Sequence, residues 1–190
     1  MQTMRPWLSA DQVVVGWEQA ILGPVSFSVA PGEILALTGP NGIGKSTLLH
    51  AIIGSATCFS GQLHLATGAR LALQTQQQPP VKGLPLSGQD LLRLTQASPT
   101  GLPPWLADKL HLRLDRLSGG QRQYLALWAI LQAPADLLLL DEPTNNLDTA
   151  GTNHLTTTLR QRIQNGSSII LISHDSEFVR EVADRTVGLG

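Results

Sequence analysis

Apolar positions in this chain fall into short runs separated by glycine, proline and polar turns, and their period shifts between two and 3.6 along the chain. Residues 12–15, 25–29 and 34–38 are short β-prone runs, with Pro31-Gly32 as a turn before the last. They predict an antiparallel flank leading into a sheet. Residues 1–10, with Pro6 and Trp7, read as a loosely held lead-in. Residues 48–53 read as a helix, 54–61 as a turn, and 62–66 with 70–73 as a hairpin around Thr67-Gly68. The stretch from about 77 to 117 has helical character broken by Pro85, Pro99, Pro103 and Pro104. Its helices are predicted at 89–95 and 105–111, and the whole reads as a small helical insertion.

Beyond it, a helix is predicted over 122–132, closed by Pro134. Four leucines at 137–140 read as a strand buried on both faces, hence central and parallel. A helix over 150–164 ends at Asn165-Gly166, a strand follows at 168–172, and a last helix covers 176–183. The pattern predicts an α/β fold in one domain spanning 1–190. A central, mostly parallel sheet carries an antiparallel β flank and the small helical subdomain.

Composition narrows the partners. With 190 residues, 42% hydrophobic and 14% charged, the chain suits one domain rather than two. Net charge is −1 and there are only three lysines (Lys45, Lys82, Lys109), so no broad basic face is available and nucleic acid is not expected as a partner. A single cysteine, Cys58, and no signal-like apolar core over residues 1–8 lead to an expected cytoplasmic location. Apolar runs such as 137–140 and 169–172 fall far short of the ~20 residues that cross a bilayer. Any membrane role is expected to be peripheral.

Candidate chemistry begins at Gly39-Pro40-Asn41-Gly42-Ile43-Gly44-Lys45-Ser46-Thr47, which fits G-x-x-x-x-G-K-[ST] between a predicted strand and a predicted helix. That context makes a phosphate cradle. Glycines let consecutive backbone N–H groups and the positive end of the helix face a triphosphate; Lys45 adds a charge for the β- and γ-phosphates and Ser46 a hydroxyl for Mg2+. Asp141 and Glu142 emerge at the carboxyl end of the leucine strand, where parallel sheets place ligands. Asp141 suits magnesium, and Glu142 suits the water that attacks the γ-phosphate. His174 follows the next strand and either serves structure or hydrogen-bonds a γ-phosphate. Ser118-Gly119-Gly120-Gln121 precedes a helix, as a plain cap or as a second phosphate contact. Trp17 either stacks on a base or packs on the surface, and the glutamines 74 and 76–78 read locally as a polar loop.

Taken together, the phosphate loop, residues 117–121, 137–142, Asn146-Leu147-Asp148 and His174 resemble the ATP-binding-cassette (ABC) ATPases over nearly the whole chain, from about Val13 to Leu189. The Ser-Gly-Gly-Gln signature discriminates, because many phosphate-loop proteins share the first and third motifs without it. The resemblance implies an ATPase with ATP and Mg2+ as ligands, and a division of labour. Lys45, Ser46, Asp141, Glu142 and His174 would serve one face of the site, while Ser118 and Gly120 reach the ATP held by a second cassette in a head-to-tail homodimer, with Asp148 near the seam. Gln76 is the glutamine chosen to touch magnesium and sense the partner, and Trp17 lies near the adenine position. The implied partners are a second such subunit, an integral membrane permease and an extracytoplasmic substrate-binding protein, with the chain on the cytoplasmic face of the cell membrane.

Within the family, Arg70-Leu71-Ala72-Leu73 through Gln76 to Leu84-Pro85-Leu86-Ser87 is similar to zinc and manganese importers. Small cassettes of haem-export systems are an alternative of similar size. A soluble, ribosome-associated cassette protein is a rival of another class, although this chain has one phosphate loop and no basic linker. A phosphate-loop kinase would leave the serine-glycine signature without a job.

Overall fold

The computed structural model describes residues 5–75 and 85–190. Two sheets build it. Strands β1 (Leu8–Gly16), β2 (Ala20–Val29) and β4 (Thr57–Leu65) form an antiparallel sheet in the order β2-β1-β4. Strands β3 (Ile34–Thr38), β5 (Leu71–Gln74), β6 (Leu137–Asp141), β7 (Ser168–Ile172) and β8 (Arg185–Gly188) form a parallel sheet in the order β5-β6-β7-β3-β8.

The parallel strands read as continuous apolar runs because alternate residues feed two different cores. Leu35 and Leu37 of β3, Leu137 and Leu139 of β6, and Ile170 and Ile172 of β7 face the antiparallel sheet together with helix α1 (Lys45–Ile52). Ile34, Ala36, Leu138, Leu140, Ile169 and Leu171 face the opposite way. They meet α4 (Gly119–Gln132), α5 (Thr149–Gln164) and α6 (Ser176–Val182), and the cluster extends to α2 (Gly88–Thr95) and α3 (Pro104–Ala107). Every residue of β6 and β7 is buried, as the leucine run required.

Register places the strand ends. Leu37 of β3 and Asp141 of β6 both align with Ile172 of β7, so three adjacent strands finish level at one edge. The segments that follow them, 39–44, 142 onward and 173–175, therefore start side by side. Ligands of parallel sheets bind at this edge.

β3 and β7 coincide with their predicted runs, and three departures have physical causes. First, the lead-in is partly structured: Leu8 is fully buried in β1, and the Trp7 N–H donates to Val29. The alternation is hidden because Gln12 takes a left-handed φ of 47° and the register slips between Ala10 and Val13. A bulge of this kind adds a residue and breaks the two-residue period. Second, residues 57–61 belong to β4 rather than a turn. Among the described residues β4 pairs only with β1, and it is exposed along almost its whole length, so no apolar stripe marks it. Third, β4 and β5 do not form a hairpin; the turn at Thr67-Gly68 carries the chain from one sheet to the other. The predicted helix at 105–111 shortens to α3, and β8 was not anticipated.

Candidate nucleotide site

The loop 39–44 leads from β3 into α1. Gly44 caps α1 with φ 108°, a torsion open to glycine and strained for other residues, and a β-carbon there would meet that of Leu22 at 2.8 Å. Among the described residues no side chain caps this helix, and its first turn holds no acidic residue, so its leading N–H groups remain available to an anion. Lys45 is nearly buried, and its ammonium donates to the carbonyls of Gly39 (2.8 Å) and Pro40 (2.9 Å), closing the loop on itself. Ile43 N–H reaches back to Pro40 at 3.4 Å.

Asn41, Gly42, Gly44, Lys45, Ser46 and Thr47 line a cleft of about 520 Å³, and Asp141, Glu142 and His174 line its other side. Residues distant in sequence thus meet in one cavity. Asp141 is 5% exposed and its Oδ1 has no hydrogen-bond partner among the described residues. Burial pushes its carboxyl up from the ordinary value, while the Ser46 hydroxyl and, through charge, His50 and Lys45 pull it back. A buried, unpartnered carboxylate oxygen beside a serine hydroxyl is a donor set for a hard divalent cation.

Glu142 leaves the strand with φ 52°, a left-handed torsion unusual for glutamate, and its N–H donates to Ile172. Its Oε2 accepts from the His174 backbone N–H at 3.2 Å and lies 2.8 Å from His174 Nδ1. The imidazole is mostly exposed while the carboxylate is buried, so the ring steadies the acid and keeps Nε2 toward open space. This carboxylate, fixed in the lining of the cleft opposite the loop, can hold a water and take its proton.

Other candidates lie elsewhere. Trp17 is 48% exposed and packs at 5.4 Å, tilted, against the ring of His50, outside the cleft lining. Ser118 Oγ accepts from Gln121 N–H at 3.2 Å and Gln121 Oε1 accepts from Ser118 N–H at 3.1 Å, a reciprocal cap on α4. Ser118, Gly119, Gly120 and Gln121 do not line the cleft. Asp148 caps α5 by accepting from Gly151 N–H at 2.8 Å, and it lines a separate groove toward α6. Gln76 lies outside the described residues. Ile21 and Ile172 were not anticipated as lining residues, and apolar strand positions carry no motif that would mark them.

A parallel sheet with a glycine-rich loop at its carboxyl edge after β3 and two carboxylates at the end of β6, one strand further across, defines a phosphate-loop nucleoside triphosphatase domain. A family model described as ABC transporter matches residues 22–145. The chain belongs to that family, binds ATP and is the ATP-hydrolysing component of a transporter. It is 37% identical over 178 residues to the zinc import ATP-binding protein ZnuC of Roseobacter denitrificans, covering 90% of this chain and 70% of that protein. To the protein of the same name from Marinobacter nauticus it is 34% identical over 195 residues, covering 97% and 74%. A solved ATP-binding subunit of an ABC transporter superposes with a TM-score of 0.80 at 26% identity, over 96% of this chain and 85% of that one. Among the described residues no helix is long and apolar enough to cross a membrane.

Proposed function

We propose that this chain powers zinc import, working as a head-to-tail homodimer on the cytoplasmic face of the membrane beneath a permease fed by an extracytoplasmic substrate-binding protein. The observation that carries the mechanism is the single cleft in which the loop 41–47, Asp141, Glu142 and His174 converge. The zinc assignment is supported by the relatives named as zinc import ATP-binding proteins at 34–37% identity. Haem export and ribosome association are not favoured by those relatives.

In this reading the N–H groups of the loop and of α1 take the β- and γ-phosphates, and Lys45 leaves its loop carbonyls to neutralise them. Ser46 and Asp141 would hold Mg2+, which would supply positive charge to the phosphate oxygens; the buried Asp141 Oδ1, without a partner among the described residues, supports this. Glu142 orients the attacking water and accepts its proton, held in place by its bonds to His174. His174 Nε2 is left to meet the γ-phosphate. Trp17 offers an apolar platform for adenine. Ser118, Gly119, Gly120 and Gln121 serve the ATP of the partner subunit, with Asp148 at the seam, which accounts for their position outside this chain's own cleft. Gln76 is assigned to magnesium and to sensing the permease, and the segment 77–117 to docking on it. ATP then stabilises the closed pair, and loss of the γ-phosphate contacts releases it.

The test is co-expression with the permease encoded nearest this gene, followed by reconstitution and ATP-driven uptake of radioactive zinc. Uptake that requires ATP and an intact Lys45 is expected. Transport of haem instead, or co-purification with ribosomal proteins and no permease, overturns the assignment.

A further inference from the structure

Two segments assigned above to the partner-facing surface are tied together within this one chain. Asn146, just before Asp148, takes a left-handed φ of 59°, and its side-chain Nδ2 donates to Gln123 Oε1 on α4 at 2.9 Å. On the same side of α4, a β-carbon at Gly120 would come within 2.5 Å of the Asn146 carbonyl oxygen. The absence of a side chain at Gly120 is therefore what lets residues 145–148 sit directly on the first turn of α4. Toward the other end, Asn145 N–H donates to the Glu142 carbonyl at 3.2 Å and Leu147 N–H to that of Thr144 at 3.0 Å. A continuous run of short contacts thus leads from the Glu142 backbone, through Asn146, to the helix turn that begins at Ser118.

From this contact we propose that Asn146 is a positioning residue, clipped by Gln123 and seated against Gly120, that holds Asp148 and the Ser118 turn in one fixed relation. The inference rests on the paired arrangement proposed above and goes beyond it. Each chain would present its two partner-facing elements as a single rigid surface, so that the state of Glu142 in one site is felt by the turn serving the other. Rigid elements packed against one another, rather than a flexible loop, can carry such a bias between sites. The sequence gives no sign of the clip, since Gln123 and Asn146 are 23 residues apart and both read as ordinary polar positions.

The test is a double-mutant cycle in the full chain with Asn146→Gly, which keeps the left-handed backbone, Gln123→Ala, and both together. Gln123→Glu, which retains the acceptor, is the conservative control. Steady-state ATP turnover, ATP affinity of the dilute monomer, Tm, and ATP-induced dimerisation in a Glu142→Gln background are read for each. Each single variant is expected to lower kcat about fivefold, with the double variant no worse than either, because both remove one interaction. Monomer affinity and Tm stay near the parent values, dimerisation at a given ATP concentration weakens by a similar factor, and Gln123→Glu restores most of kcat. Additive losses, an unchanged kcat, or losses that track Tm alone overturn the clip. If Glu142→Gln by itself forms no ATP-dependent dimer, the paired reading falls and this inference with it; if that dimer forms equally well with and without the clip, only this inference falls.

Discussion

Replacing Ser118 by aspartate separates its observed work as a helix cap from its proposed contact with the partner's ATP. As a cap, Ser118 accepts from Gln121 N–H at 3.2 Å and its own N–H is covered by Gln121 at 3.1 Å. Aspartate caps as well as serine, and its charge suits a helix N-terminus, so stability should move by no more than ~0.5 kcal/mol. For a chain of this size that is roughly a 2 °C change in Tm or less. Alanine would lose the cap, at about 1 kcal/mol and roughly 3 °C. Facing the partner's γ-phosphate, a carboxylate about 4 Å from one phosphate charge costs about 4 kcal/mol at an effective dielectric constant near 20. That corresponds to a loss of about a thousandfold in turnover. Ser118 does not line its own chain's cleft, so ATP affinity of the dilute monomer should not change. The assay pairs phosphate release at saturating ATP with nucleotide titration of monomer and a melting curve. Ser118→Asp protein that hydrolyses within twofold of the parent would reduce Ser118 to a cap, and a sharp loss of monomer affinity would place it in its own chain's site.

Two further outcomes follow from the carboxylates. Glu142→Gln keeps the size of a side chain that accepts from the His174 backbone, so ATP binding should persist while turnover drops by at least a hundredfold, about the contribution of general acid–base catalysis; an ATP-bound dimer should accumulate in light scattering. Asp141→Asn should change the pH dependence of stability without nucleotide or metal. Burial raises the Asp141 carboxyl above 3.8, so between that value and its folded one the folded state holds the extra proton and stability falls as pH rises. The variant should lack that fall in a Tm-against-pH comparison, and identical profiles would refute the buried-acid reading.

The parallel strands β3 and β7 were legible because a fully buried strand needs an unbroken apolar run with turn residues at each end. β1 and β4 were legible only in part, as residues 12–15 and 62–66, for opposite reasons: the bulge at Gln12 scrambled an existing alternation, and the exposed edge strand never had one. Thr67-Gly68 announced a turn, but a turn does not say whether the next strand returns to the same sheet. In the site, the phosphate loop, Asp141, Glu142 and His174 could be singled out because their motifs fix both residue type and place relative to strands. What the sequence concealed was geometry carried by backbone torsion and long-range contact. Neither Glu142 at φ 52° nor the Asn146–Gln123 bond follows from any local preference.

Left-handed torsion at Glu142 sets durability against chemistry at a single position. A side chain held there costs roughly 1 kcal/mol or more that glycine would not incur. If Glu142 has its proposed role, the fold would be firmer without the very group that activates the water, and breaking a phosphoanhydride bond is what gives a glutamate a reason to occupy that corner of the backbone.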